Sequence, residues 1–469
     1  MTSSIPEQGA AATGSGSEVL ARVYRFVFVA HLAAVAALQR DFSRLHFSLA
    51  GVPIFANEAT ILLLGSLLVA ITVWRRRLVL RLGALEWLLL AYLAVGAAFT
   101  ARGLAVGFGL AALRDAALVY YAAFAFFALA FRELGGTTAR VARALVGGSV
   151  VGALVWTGRF LARPSLIDGH AVPSFAGILA WLGLVGVLLP WRYTRGWRGV
   201  GRWFGVAACS FVVFLSAYRT MLGVLLASLL AVLAGRHWAG EVVQHLRPSR
   251  LVAWLGTVAL VTAALAALPL SRPVVIDGDV PAGHALAVVS RRWLGGMAAP
   301  GARPGSAATL DVRRAPWGSV NSSVAFRTQA WRNALLRIRH SPWVGVGFGP
   351  PAALFPDFHC ELASSPLSNC GNAHNTYLTI AMRTGLPVLA LVAAVNLVAL
   401  GRGLAALGRR GAGGKSTSSL VVILGLYASL ASYGVTSLLL ESPHLAVPFW
   451  VIVGTLAASN LGGKQDHTA

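Results

Sequence analysis

The stretch ILLLGSLLVAITVWRRRLVLRLGALEWLLLAYLAVGAAFT, residues 61–100, decides the class of the fold. Two apolar runs, each close to the ~20 residues a helix needs to cross a bilayer, flank a turn that carries Arg75, Arg76, Arg77 and Arg81. A helix on the surface of a soluble domain pairs an apolar stripe with a polar face, whereas these runs are apolar all round. The same alternation of apolar run and basic turn recurs along nearly the whole chain. It predicts twelve spans at roughly 20–39, 55–74, 82–100, 112–131, 144–162, 174–190, 203–218, 220–234, 251–270, 375–400, 419–440 and 446–461.

Composition agrees with this. The 469 residues are 57% hydrophobic and 12% charged, against roughly 45–50% and about 25% in soluble domains, and the mean hydropathy is +0.71. Three cysteines cannot staple a chain of this length, and low charge with high hydrophobicity is the reverse of a disordered composition. The formal charge of +23 comes almost wholly from Arg, with Lys only at 415 and 464. Because the Arg residues fall between apolar runs, nucleic acid is not expected as a partner and membrane lipid is.

Short cytoplasmic loops carry the excess of Lys and Arg. With the N-terminus inside, Arg75 to Arg81, then Arg132, Arg140 and Arg143, then Arg192, Arg195, Arg198 and Arg202 all fall on the cytoplasmic face. Arg236, Arg247 and Arg250, then Arg402, Arg409, Arg410 and Lys415, continue the series. Five regions are expected: a disordered cytoplasmic tail at 1–19, nine spans in 20–270, a large outer loop at 271–374, three spans in 375–461, and a cytoplasmic tail at 462–469. The first span reads as an uncleaved anchor, since the tail has neither a basic leader nor a cleavage site.

The outer loop is polar and Gly/Pro-rich. Residues 298–319 read as a linker, while 322–340 have helical periodicity: Ser322 or Ser323 can cap the start, Val324, Trp331, Leu335 and Ile338 share a face, and Pro342 ends it. Cys360 and Cys370 lie in this loop, where an oxidising compartment permits a disulfide. Cys209 falls inside a span and reads as a small core residue.

Three residues can carry chemistry. Arg219, in FLSAYRTMLGVLL, lies between two apolar runs at the outer boundary. It is either an interfacial Arg snorkelling to lipid phosphates or an anion site, because a guanidinium fork fits phosphate oxygens and keeps its charge. Arg327 stands one turn before Trp331, whose bulk would hold that face of the helix against the membrane domain. His374, in GNAHNTYLTIAMRTGLP, stands where the loop re-enters the membrane, with Asn372 or Asn375 as cap. A helix N-terminus disfavours imidazolium, which suits either a general base or a merely buried His.

Other motifs fail. GVGFGPP, residues 345–351, follows no strand and has Pro350 and Pro351 where a phosphate-binding helix would begin, so it reads as a turn. Asp277-Gly-Asp279 is isolated from other carboxylates and also reads as a turn. Walker A, HExxH and Cys/His zinc spacings are missing, and few of the sixteen acidic residues lie in the outer half. Neither a metal nor a cofactor is expected.

SAYR at 216–219, RTQAWRNALLRIRHSPWVGVGFG at 327–349 and AHNTYLTIAMRTGLP at 373–387 together resemble the bacterial O-antigen ligase family, within a larger group that includes O-antigen polymerases and protein O-oligosaccharyltransferases. The resemblance covers roughly 205–395. It implies a GT-C-type membrane glycosyltransferase of the bacterial inner membrane, with its active site periplasmic. The donor would be a glycan on undecaprenyl diphosphate and the acceptor lipid A-core oligosaccharide, with inversion and without a metal. By motif, His374 would be the base, and Arg219 and Arg327 would bind the donor diphosphate. Arg114, at the outer start of the fourth span beside Asp115, is a further phosphate-binding candidate. Glu441, at the outer turn between the last two spans, could orient His374 or cap the final span.

The polymerase and the protein-modifying enzyme remain alternatives, because no motif encodes the acceptor. Outside this class, a secondary transporter has the same span count, but such proteins show repeats and broken helices near the midplane. Convergence of Arg219, Arg327 and His374 on one outer site would separate the two.

Overall fold

The computed structural model describes residues 9–49, 52–80, 82–162, 165–166, 173–188, 197–216, a few positions between 224 and 234, 278–279, 320–349, 373–410 and 415–460. Three long helices open the chain: α1 (Gly9–Arg44), α2 (Ala56–Arg75) and α3 (Ala84–Ala105). The fourth span follows in three pieces, α4 (Leu110–Asp115), α5 (Ala117–Tyr120) and α6 (Ala123–Glu133), joined by tight bonds such as Val119 N–H to Ala116 O and Ala122 N–H to Val119 O, both 2.9 Å. Next come α7 (Thr138–Ala162), α8 (Ser174–Leu188) and α9 (Trp197–Ser216). Beyond the large loop's described part, α10 (Val320–His340) leads to α11 (Thr376–Thr384), α12 (Leu386–Arg410), α13 (Lys415–Gly434) and α14 (Pro443–Ala457).

Among the described residues, seven helical segments are long and apolar enough to cross a membrane, and three shorter apolar helices accompany them. The chain is therefore an all-α polytopic membrane protein. The expected spans at roughly 220–234 and 251–270 lie largely outside the described residues. Two expectations are corrected here. The tail expected to be disordered to residue 19 is helical from Gly9 onward; Ala10 to Ala12 favour helix, and Glu18 pairs with Arg25 at 2.9 Å one to two turns on. Ser322 and Ser323 do not cap α10, which begins at Val320 and runs through them.

The last helix is the centre of the bundle. Residues 444–457 of α14 are all buried, packed among α1, α6, α12 and α13. Buried hydroxyls are satisfied within this core: Tyr24 donates to Phe127 O at 2.9 Å and Tyr92 to Leu118 O at 2.8 Å. Small residues bring helices close, as at Gly148 of α7, where a Cβ would stand 2.5 Å from Ala33 O of α1. Cys209 is a free, buried thiol within the same core. On the outside, Phe26, Leu62, Val73 and Trp74 are exposed, a lipid-facing surface that water would not tolerate over such an extent.

The chain reverses at each turn, so its two ends differ. One carries Arg75 to Arg77, Arg140, Arg143 and Arg402, the last paired with Glu86 at 3.3 Å. At the other end, β1 (His46–Leu49) pairs antiparallel with β2 (Val52–Phe55), His46 facing Phe55. There too, β3 (Ser165–Leu166) pairs with β4 (Gly278–Asp279). The Asp277-Gly-Asp279 run expected as a free turn thus lends two residues to a strand pair that ties the large loop to the α7–α8 connection.

Candidate functional site

Residues 375–400, expected as one span, are two helices. The break follows from TGLP. Gly385 takes φ +88° and ψ 168°, a backbone conformation essentially reserved for glycine, and Pro387 fits only the first turn of the helix beyond. The nine-residue α11 rises only about 13 Å, too little to span, and sits at the end of the bundle opposite Arg75 to Arg77. Asn375 caps it, its side-chain oxygen accepting the Leu378 N–H at 3.0 Å. Thr376 fixes it to the α13–α14 turn, donating to Ser437 O at 3.0 Å and accepting from Leu439 N–H at 2.7 Å. The Tyr377 hydroxyl reaches Ala431 O at 3.0 Å.

Helix α10 packs along one flank of α11. Ala330, Ala334 and Ile338 meet Ala373, Ala381 and Met382, with Trp331 partly buried beside them. Leu335, expected on this face, is 54% exposed and its neighbour Leu336 57%; alanines at 330 and 334 let the helices approach more closely than leucine would. This packing brings Arg327, one turn before Trp331, to bear on His374. Burial chiefly, and the Arg327 guanidinium next, lower the His374 imidazole to about 4, because both disfavour a second positive charge. His374 is thus neutral, through burial and Arg327. It also has a positive φ of 48°, which turns the chain sharply into α11.

The glycine run is the turn it was read to be, and the structure gives it a task. Val346 N–H bonds Met382 O at 2.9 Å and Gly347 N–H bonds Arg383 O at 2.8 Å, so the loop embraces the last turn of α11. Gly345, at φ +59°, lies so close that a Cβ would stand 2.5 Å from the Arg383 carbonyl carbon. Phe348 is buried, 5.7 Å from the Phe99 ring of α3.

Asp115 and Arg383, which sequence reasoning did not single out as a pair, close this clamp. Arg383 Nη1 lies 3.1 Å from Asp115 Oδ2, the side chains being 7% and 20% exposed. The same oxygen accepts the Gly349 N–H at 2.8 Å, and Arg383 also donates to Gly347 O at 3.4 Å. A cue existed: an Arg inside an apolar run is a functional hypothesis by default, and Arg383 stands within one.

Glu441 belongs to this second cluster. Burial pushes its carboxyl up to about 7; Arg383 and Arg114 pull it down, and Asp115 raises it further. The charges facing Glu441 are therefore those of α4 and α11, whereas the charge on His374 is Arg327. Nor does Glu441 cap α14, whose N-cap is Ser442 with no side-chain bond. Of the expected site residues, then, Arg327 and His374 come together. Arg114 is exposed on α4 and faces Glu441, while Arg219, Cys360 and Cys370 lie outside the described residues.

Residues 204–393 match the family model for O-antigen ligases. The match runs from α9 to the first turns of α12 and takes in Arg219, Arg327, His374 and Arg383. A search among curated proteins finds no match.

Proposed function

From the premise that residues 204–393 form an O-antigen ligase family domain, we propose that this chain transfers a glycan from undecaprenyl diphosphate to lipid A-core oligosaccharide at the periplasmic face of the inner membrane. A ligase or polymerase type of reaction on lipid-linked glycan is what the family carries; the ligase and its acceptor are our reading. The observation that supports it most is the electrostatic contact of Arg327 with a neutral, half-buried His374 at the end of the bundle away from the basic loops.

In this reading an acceptor hydroxyl attacks the anomeric carbon from the face opposite the diphosphate, inverting it. His374 takes the hydroxyl proton as the new C–O bond forms. The bond to the diphosphate breaks, and Arg219 and Arg327, with Arg114 as a further candidate, neutralise the departing charge. A diphosphate needs no general acid to leave, and preorganised cations in a poorly hydrated site stabilise it well. Donor binding also sets anionic oxygens against Arg327, which removes the charge that weakens His374 as a base. The base is then strongest when the substrate is in place. No resident metal or cofactor enters this scheme.

Purified protein incubated with undecaprenyl-diphosphate glycan and lipid A-core in EDTA tests it on a gel. Glycan on the core is the expected result. A lengthened lipid-linked glycan with bare core would identify a polymerase, and glycan on protein the third family activity. Meeting of the base and arginine at an outer boundary also favours an enzyme over a transporter, whose site lies near the midplane.

A further inference from the structure

Helix α10 turns one face to α11 through Ala330, Trp331, Ala334 and Ile338, with Arg327 on the same side. Away from that face, Arg332, Leu335, Leu336 and Arg339 follow the i, i+3, i+4, i+7 spacing that places side chains together on a helix, and all four are exposed. Trp343 and Val344, just beyond the helix, are exposed as well. Four large apolar residues therefore lie open within ten positions, beside a helix that has four arginines and no carboxylate.

Neither water nor hydrocarbon suits this set. Water disfavours a cluster of exposed leucine, valine and tryptophan, and hydrocarbon disfavours guanidinium groups. A headgroup layer suits both, because the apolar side chains enter the acyl boundary while each arginine lays its stem along them and carries its charge to phosphate. The level is also right for such a layer. Pro342 O accepts the Leu386 N–H at 2.7 Å, and Trp343 O lies so close to Gly385 that a Cβ there would clash. The segment is thus fixed to the first residues of α12, whose stretch Leu386–Arg409 is long and apolar enough to cross a membrane. Leu386 is itself exposed, so the lipid-facing surface of α12 continues up to Trp343, and tryptophan gathers at this level of a bilayer.

Charge selects among the occupants. A second copy meeting this face across a two-fold axis would set a basic face against itself, and like charges across an interface repel. An anionic phospholipid instead offers phosphate oxygens to the guanidinium forks. We propose that the outward face of α10, formed by Arg332, Leu335, Leu336 and Arg339 and extended by Trp343 and Val344, docks on anionic phospholipid headgroups of the leaflet at the α11 end. The leaflet then backs the helix whose other face brings Arg327 to act on His374. Nothing in this depends on the ligase reading.

Site-directed fluorescence in vesicles tests the surface without turnover. In the full chain with its three cysteines replaced, Leu336→Cys carries a bimane fluorophore, and the protein is reconstituted into phosphatidylcholine vesicles. These contain phosphatidylglycerol, or at the same fraction phosphatidylcholine, with a doxyl quencher on the acyl chain near the headgroup. Both lipids should quench, with an association constant roughly fivefold or more in favour of phosphatidylglycerol, about what one basic residue near an anionic headgroup contributes. Arg332→Gln combined with Arg339→Gln should remove that preference and leave quenching by phosphatidylcholine in place. Absence of quenching by either lipid, as in water or under protein, overturns the docking surface. So does equal affinity for the two lipids, or a preference that survives the loss of both arginines. Leu335→Cys, exposed like Leu336, repeats the measurement should the first variant fail to fold.

Discussion

Burial acts on His374 and Glu441 in opposite senses, because one is charged when protonated and the other when deprotonated. For His374 burial favours the neutral form. His374→Ala should reduce transfer below a few per cent with the melting temperature unchanged, and a variant that retains more would remove His374 as base. Arg327→Ala should instead raise the KM for donor, with a loss on the order of 10²-fold in kcat/KM, as for one preorganised donor to a developing anion; a KM unchanged with donor would separate Arg327 from the diphosphate. For Glu441 the ordinary value of 4.5 in the unfolded chain becomes about 7 in the folded one. Over that window the folded state holds the extra proton, so stability is fullest below pH 4.5 and is lost as pH rises through 7. The loss is roughly 3 kcal/mol at most. Glu441→Gln does not ionise, so its melting temperature should exceed that of the wild type at pH 8 by more than it does at pH 5. A difference that is the same at both values would mean that Glu441 is ionised throughout.

At the scale of elements, the short α11 is held by backbone as much as by side chains. Gly385 carries the break, and a Cβ there would stand 2.3 Å from Trp343 O in addition to the strain of φ +88°. Gly347 has a similar φ of +87° but open space around it. Gly385→Ala should therefore cost several kcal/mol and depress transfer, whereas Gly347→Ala should cost only about 1–2 kcal/mol from backbone strain; comparable melting temperatures for the two would remove the close approach as a cause. Seven of the spans, those that the described residues show as long apolar helices, were legible, since apolar runs and basic turns are dictated by the bilayer. So was the α10 stop at Pro342 and the Asn375 cap, which depend on neighbours in sequence. The break at Gly385 was hidden because Leu386 to Leu391 continue the apolar run, and hydropathy does not distinguish a short separate helix from the top of a span. The Asp115–Arg383 pair was hidden for another reason. Its members are 268 positions apart and meet only in the folded chain, where each also bonds the glycine loop, Asp115 at Gly349 and Arg383 at Gly347. Likewise Leu335 was placed inward because an apolar residue on a helix was assumed to seek the core, while the alanines that do so allow the closer packing.

For the whole molecule, the side of the membrane on which the site lies decides which substrates it can meet. Undecaprenyl-linked glycans and lipid A-core would meet a ligase only at the periplasmic face, so the reading fails if α11 opens to the cytoplasm. The distribution of Arg argues for the outer face: Arg75 to Arg77, Arg140, Arg143 and Arg402 share the end opposite α11, and basic short loops stay inside. The large loop is also basic, ten Arg against five acidic residues between 271 and 374, but a loop of that length is translocated regardless of charge, and its excess suits an anionic donor. Two exposed positions test the assignment in a chain whose three cysteines have been replaced. Ser48→Cys lies on β1 at the α11 end, and Arg77→Cys lies in the basic turn after α2. In spheroplasts an impermeant maleimide should label Ser48→Cys directly and Arg77→Cys only after permeabilisation. The reverse pattern would invert the molecule, leave His374 facing the cytoplasm, and exclude a periplasmic transfer however well the site suits the chemistry.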